Sequence, residues 1–144
     1  FTLAYYAISQ PEIFRLKIKE QFQNDTATEM EIRPILERLN HCMLQDKPYL
    51  NAELTLEELA RQVDCRKELL SKTINQGLGI NFYRLINEHR IMAFEALARD
   101  SSNNHLTHLA LALESGFRSK TTFYKAFREL KQTTPSAYLK GLNS

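Results

Sequence analysis

Glycine and proline are both scarce in this chain of 144 residues, at four each. The glycines form no Gly-x-Gly-x-x-Gly or Gly-x-x-x-x-Gly-Lys pattern, which excludes the phosphate-cradling loops of nucleotide-binding α/β domains. Runs of alternating β-branched residues are equally rare, so an all-helical chain is expected. Two cysteines, Cys42 and Cys65, are too few for a disulfide framework and lack the Cys-x-x-Cys spacing of a zinc site, and they fit a reducing cytoplasm. No apolar run approaches the about 18 residues of a membrane-spanning helix, and no signal peptide is present. What the chain does contain is 43% hydrophobic and 25% charged residues, enough for one or two small domains with real cores. It opens without Met on the apolar stub Phe1-Thr2-Leu3-Ala4-Tyr5-Tyr6-Ala7-Ile8, as a piece cut from a longer protein would.

A formal net charge of +2 carries no meaning until it is divided. Residues 1–51 hold six Lys/Arg against seven Asp/Glu, and residues 52–144 hold thirteen against ten. Between Arg118 and Lys131 there are five basic residues and one acidic residue, Glu129. Charge concentrated on one late segment is the footprint of phosphate contact, the alternative being a solvated helix face.

Residues 1–27 carry little pattern, with Pro11 limiting any first helix, apolar Ile13, Phe14, Leu16, Ile18 and Phe22, and a loop at Gln23-Asn24-Asp25-Thr26. From Thr28 a helix is signalled by the capping box Thr28-x-x-Glu31 and by Ile32, Ile35, Leu36, Leu39 and Met43 at spacings of three and four. Pro34 implies a later start or a bend, and Asp46-Lys47-Pro48 ends the helix. Next, Leu54-Thr55-Leu56-Glu57-Glu58-Leu59-Ala60 contains a second capping box, Thr55-x-x-Glu58, and returns later as Leu106-Thr107-His108-Leu109-Ala110-Leu111-Ala112. The repeat continues with one extra residue in the second copy: Asp64-Cys65 and Gly116-Phe117 at the turns, Leu69, Leu70 and Ile74 against Thr122, Phe123 and Phe127, and Lys72 against Lys125. Phe82 and Leu85 match Pro135 and Tyr138. Two tandem helix-turn-helix units are therefore expected, at about 54–80 and 106–132. Between them, residues 81–98 read as a helix capped by Asn81, with an apolar face of Leu85, Ile86, His89, Met92, Ala93, Ala96 and Leu97. Its length of roughly 27 Å would let two readers enter successive major grooves of a duplex whose turn is about 34 Å.

Leu59-Ala60, Phe82, residues 90–97 and above all Gly116-Phe117-x-Ser119-x-x-x-Phe123-x-x-x-Phe127, followed by Thr134-Pro135-Ser136-x-Tyr138, resemble the DNA-binding domain of AraC-type transcriptional regulators. The resemblance covers about residues 50–142 and implies seven helices with two recognition helices in adjacent major grooves. Lys47-Pro48-Tyr49-Leu50, Asn75, Asn81-Phe82-Tyr83 and Ile86-Asn87 are further similar to a subgroup whose DNA-binding domains follow membrane or other sensory regions. Three residues depart from the family pattern: Arg66 stands at the usual capping Ser, Asp64 at a turn Gly, and Gln132 at a Gly closing the second recognition helix.

The expected architecture is thus all-α: a helical extension at 1–45, then a DNA-binding domain at 46–144 made of two helix-turn-helix subdomains and a central linker helix. On the second recognition helix Phe123, Ala126, Phe127 and Leu130 point inward. Ser119, Lys120, Thr121, Tyr124, Lys125 and Arg128 remain to contact DNA, lysine and arginine suiting guanine O6 and N7 or phosphate. On the first, Leu69, Leu70 and Ile74 point inward, leaving Lys67, Glu68, Ser71, Lys72 and Asn75; Glu68 can accept from cytosine N4 but repels phosphate. Phe117, Phe123, Phe127 and Tyr138 could form a base-stacking platform, but helical spacing makes them core. His105 and His108 lack a third ligand, adjacent His41 and Cys42 diverge in direction, and neither a metal, a cofactor nor a catalytic constellation is expected. The expected function is sequence-specific recognition of double-stranded operator DNA in the cytoplasm. Its implied partners are RNA polymerase for an activator and a missing sensor region of the same chain, which could tether it to the inner membrane. The alternative is a helical interaction module in which residues 28–45 pair with a partner protein or, as a homodimer, with a second copy of the chain.

Overall fold

The structure, a computed structural model, describes residues 26–142, with side chains from Glu29 onward. Readings that fall before Thr26, and the capping side chain of Thr28, lie outside the described residues. Seven α-helices occur among those described: α1 (Thr26–Gln45), α2 (Leu56–Gln62), α3 (Lys67–Leu78), α4 (Phe82–Arg99), α5 (His108–Glu114), α6 (Lys120–Lys131) and α7 (Pro135–Leu142). Short 3₁₀ turns cover Pro48–Leu50 and Ser101–Asn103, and no strand occurs among the described residues. The chain divides into two compact units, and the division does not follow chain order. The first holds α1, Pro48 and Leu54–Leu85; the second holds Tyr49–Glu53 and residues 86–142.

In the first unit α1 packs along α3. Ile32, Leu36 and Leu39 of α1 are fully buried, as are Leu59 of α2 and Leu70 and Ile74 of α3. The close approach depends on Gly77, where an added Cβ would come within 2.7 Å of Leu36 Cδ1. Arg38 fastens α1 to the α2–α3 turn, donating Nε–H to the carbonyl of Val63 at 2.9 Å. The helix starts two residues before Thr28 and runs through Pro34. Proline is tolerated there because it lies on the solvent side, as does Met30, whose carbonyl forgoes its helical donor. Lys47, at φ 49°, terminates the run as Asp46-Lys47-Pro48 suggests. The apolar side needed for pairing by residues 28–45, including Ile35, Leu36, Leu39 and Met43, is buried within the chain.

On α3 the inward set is wider than the apolar pattern. Thr73 is fully buried, its hydroxyl donating to the carbonyl of Leu69 at 2.7 Å, while Leu69 itself is half-buried. A threonine that satisfies its hydroxyl on its own helix behaves as a core residue, so polarity misplaces it.

The second unit encloses Ile91, Phe94, Leu111, Ala112, Phe117, Phe123, Ala126 and Phe127, flanked by Leu97, Leu106, Leu130 and Tyr138. Phe94 lies 4.7 Å from Phe123 and Phe127 lies 5.6 Å from Tyr138, centroid to centroid, in tilted or edge-on pairs. These rings are core, and a base-stacking platform is excluded for Phe117, Phe123 and Phe127 by their burial.

Helix α4 passes from the first unit into the second, and its buried residues are Leu85, Ile86, Ile91, Phe94 and Glu95. His89, Met92, Ala93, Ala96 and Leu97, expected on one stripe, are only half-buried. A helix that serves two cores has no single apolar face, so one periodic stripe misassigns its second half. Asn81 caps it as expected, its side-chain oxygen accepting from the Arg84 amide at 2.8 Å.

Candidate nucleic-acid interface

Each unit presents a helix, a turn and a second helix in the order a duplex reader needs. The two second helices differ in how firmly they begin. Ser119 opens α6 with a full capping box: its hydroxyl accepts from the Thr122 amide at 3.2 Å, and the Thr122 hydroxyl accepts in return from the Ser119 amide at 3.2 Å. Arg66 opens α3 with no side-chain cap at all. Restoring a hydroxyl with Arg66→Ser should raise stability by about 1 kcal/mol, read as a higher midpoint in urea denaturation. Thr55 and Thr107 cap α2 and α5 as half-boxes, each accepting the amide three residues on at 3.1 Å. Glu58, expected to close the first box, pairs with Arg61 instead.

Two of the residues that depart from the family pattern have left-handed backbones. Asp64 sits at φ 57° and Gln132 at φ 58°, both in the left-handed well that glycine usually fills. Gln132 closes α6, its amide donating to the Arg128 carbonyl at 2.8 Å.

On α6 the outward residues Lys120, Thr121, Tyr124, Lys125 and Arg128 are all exposed, and Phe123, Ala126 and Phe127 are buried. Lys120 Nζ lies 5.7 Å from the Tyr124 ring centroid, so this cation rests on an aromatic face one turn away. The Ser119 hydroxyl is committed to its cap. Two of the five basic residues between Arg118 and Lys131 are engaged elsewhere. Arg118 pairs with Glu53 at 3.2 Å, and Lys131 Nζ stands 2.7 Å from Oε1 of buried Glu95. The available positive charge on α6 is therefore Lys120, Lys125 and Arg128.

On α3 the expected outward set is compromised further. Lys67, Glu68, Lys72 and Asn75 are exposed, but Ser71 is half-buried. Asn75 turns its amide back onto its own helix, donating to the Ser71 carbonyl at 2.8 Å. Lys72 pairs with Glu31 of α1 at 2.9 Å. Of that expected set, only Lys67 and Glu68 keep their side-chain polar groups unengaged among the described residues. A cleft of about 380 Å³ lies there, lined by residues including Arg61, Cys65, Arg66 and Lys67. Burial pushes the Cys65 thiol above its usual range, with Asp64 adding to the rise and Arg38 opposing it.

Sequence reasoning missed the groups that fix the second turn. Arg90 of α4 donates Nε–H to the Tyr49 carbonyl at 2.7 Å and Nη2–H to the Asn51 carbonyl at 2.9 Å, with its guanidinium 6.0 Å from the Phe117 ring centroid. Burial holds its pKa below the usual arginine value. Segment Tyr49–Glu53 is thereby part of the second unit although α2 and α3 follow it in the chain. No periodic signal marks a side-chain bond to a backbone carbonyl about forty residues away. His105 and His108 bring no metal cluster with them among the described residues, and the His108 ring stands edge-on to Phe94 at 6.1 Å.

A family model described as "Helix-turn-helix domain" matches residues 59–141. The chain is 30% identical over 90 residues to an uncharacterized HTH-type transcriptional regulator of Staphylococcus aureus (strain COL), a match covering 62% of this chain and 12% of that protein. It is 30% identical over 95 residues to the regulatory protein PocR of Salmonella typhimurium, covering 66% of this chain and 30% of PocR. The chain thus spans about an eighth of the length of the staphylococcal relative. No solved structure matches. The capped and basic α6, the duplicated helix pair and a family match across more than half of the sequence lead to one conclusion: the chain belongs to the AraC-type helix-turn-helix family of DNA-binding transcriptional regulators.

Proposed function

We propose that this chain is the operator-binding part of a larger regulator, and that α3 and α6 enter adjacent major grooves of double-stranded DNA. The observation that carries the reading is the outward face of α6, where Lys120, Thr121, Tyr124, Lys125 and Arg128 are exposed on a helix with a complete N-terminal capping box. Lysine and arginine there suit guanine O6 and N7 or phosphate, and Thr121 suits either a base edge or phosphate. On α3 the contact set is Lys67, Glu68, Ser71, Lys72 and Asn75, with Glu68 selecting cytosine through N4. Support for paired grooves comes from the duplication and from the unbroken 18-residue helix α4 between the two copies. A sensor region beyond this stretch, RNA polymerase as the partner of an activator, and a cytoplasmic location, free or tethered through the sensor, complete the proposal. Among the described residues no helix is long and apolar enough to cross a membrane.

Selection from a random duplex library tests the reading directly. A selected site should bind far better than random duplex at moderate salt, and affinity should fall steeply as salt rises. Lys125→Ala should weaken binding to that site by about 1–3 kcal/mol, measured by fluorescence anisotropy. Equal affinity for selected and random DNA would remove sequence-specific recognition.

A further inference from the structure

The two copies of the helix-turn-helix unit place equivalent lysines on their second helices, Lys72 on α3 and Lys125 on α6. Their surroundings differ. Lys125 is exposed and has no ion-pair partner among the described residues, whereas Lys72 Nζ lies 2.9 Å from Oε2 of Glu31 on α1. The same asymmetry recurs one turn earlier, where α3 carries Glu68 and α6 carries Thr121.

We infer that α1 is an intramolecular competitor for the first reader: Glu31 holds the Lys72 ammonium that a DNA phosphate or guanine edge would otherwise draw. The inference rests on the proposed DNA-binding role of α3. Glu31 is no stray surface carboxylate, because its helix is fixed at three points just after it. Ile32, the next residue, is fully buried, Leu36 seats on Gly77 of the same α3, and Arg38 holds the α2–α3 turn. The carboxylate is therefore delivered to α3 by packing rather than by chance encounter of two long side chains. DNA binding through Lys72 must break the pair, so the carboxylate lowers the affinity of the first reader while leaving the second untouched. An upstream event that shifted α1 along α3 would release the lysine, which makes Glu31 a point where the chain preceding α2 can govern binding.

Both side chains are about half exposed, so the restraint is modest and sensitive to salt. Its test is a double-mutant cycle on the 144-residue chain with the selected duplex, read by anisotropy across a salt series. Glu31→Gln is expected to tighten binding about two- to fivefold at low salt and to steepen the dependence of log K on log salt, with an unchanged thermal midpoint. In a Lys72→Ala background the same substitution should do nothing. Tightening of equal size in that background would mean that Glu31 merely repels phosphate, and the inference would fall. It would fall as well if Glu31→Gln left affinity unchanged or weakened it. Absence of any binding by the unaltered chain would instead overturn the DNA-binding reading itself, and the inference with it.

Discussion

Gly116→Ala is expected to lower the stability of the second unit by about 3 kcal/mol, through two separate costs at one position. The backbone there has φ 100°, beyond the left-handed well near +60° that an L-residue can occupy with modest strain. An added Cβ would also stand 2.1 Å from the Tyr49 carbonyl oxygen and 3.0 Å from Leu50 Cα. Both neighbours are backbone, so no side-chain rotation relieves the clash. The segment must move, and it is held by the two Arg90 hydrogen bonds and the Glu53–Arg118 pair. The first unit supplies the control. Asp64 occupies the matching turn at φ 57°, inside the left-handed well, and Asp64→Gly should change stability by well under about 1 kcal/mol. Urea denaturation of both variants distinguishes a demand for glycine from a general sensitivity of turns: a Gly116→Ala loss below about 1 kcal/mol would show that segment Tyr49–Glu53 yields freely.

That contrast also marks how far the sequence is legible. Both turns, the Ser119 cap and the outward face of α6 follow from spacing alone, because each depends on residues within about four positions of one another, and the tandem repeat is legible because the same short pattern returns about fifty residues later. The identity of Gly116 as a turn residue is readable in the same way. The reason it admits no other residue is not, since the obstructing carbonyl belongs to Tyr49. The same holds for Glu31 and Lys72: local spacing points to a capping role and a DNA contact, whereas the ion pair joins helices about forty residues apart. Helix α4 shows a different limit: Ile91 and Phe94 lie off the stripe that begins at Leu85 because the helix changes cores partway along. The charge run from Arg118 to Lys131 is visible in sequence, but only the fold shows that its two ends are engaged by Glu53 and Glu95. What remains in the middle is smaller and better defined than the count of basic residues suggests.

Lys131→Met should destabilise the second unit by about 2–3 kcal/mol, more than its partner substitution Glu95→Gln, and the order of the two is the decisive result. Glu95 is almost wholly buried, its side chain 3% exposed, while that of Lys131 is 29% exposed. Around the carboxylate, Lys131 Nζ approaches Oε1 at 2.7 Å, Arg99 lies at 3.8 Å, and the Tyr138 hydroxyl donates to Oε2 at 3.3 Å. Oε1 has no well-angled hydrogen-bond donor, so its compensation is chiefly the lysine charge. Removing the lysine strands a buried carboxylate; removing the carboxylate leaves a lysine whose long stem can carry its charge to water. The contribution has a defined pH window. Burial pulls the Lys131 pKa down, but the Glu95 carboxylate held against the ammonium, with Tyr138 assisting, overcomes it and leaves the group above its ordinary 10.5. A raised lysine pKa means stabilisation that is complete below the unfolded-state value and lost as pH climbs through the folded-state value. The gap between the unaltered chain and Lys131→Met should therefore be constant near neutrality and narrow above about pH 10.5, read from urea midpoints across pH. Because Lys131 ends α6 and Glu95 belongs to α4, the pair fixes α6 on α4 at the end opposite its cap. Operator affinity should fall in Lys131→Met through this loss of anchoring, with little change in salt slope, whereas Lys125→Ala should reduce the slope by about one if its ammonium meets a phosphate.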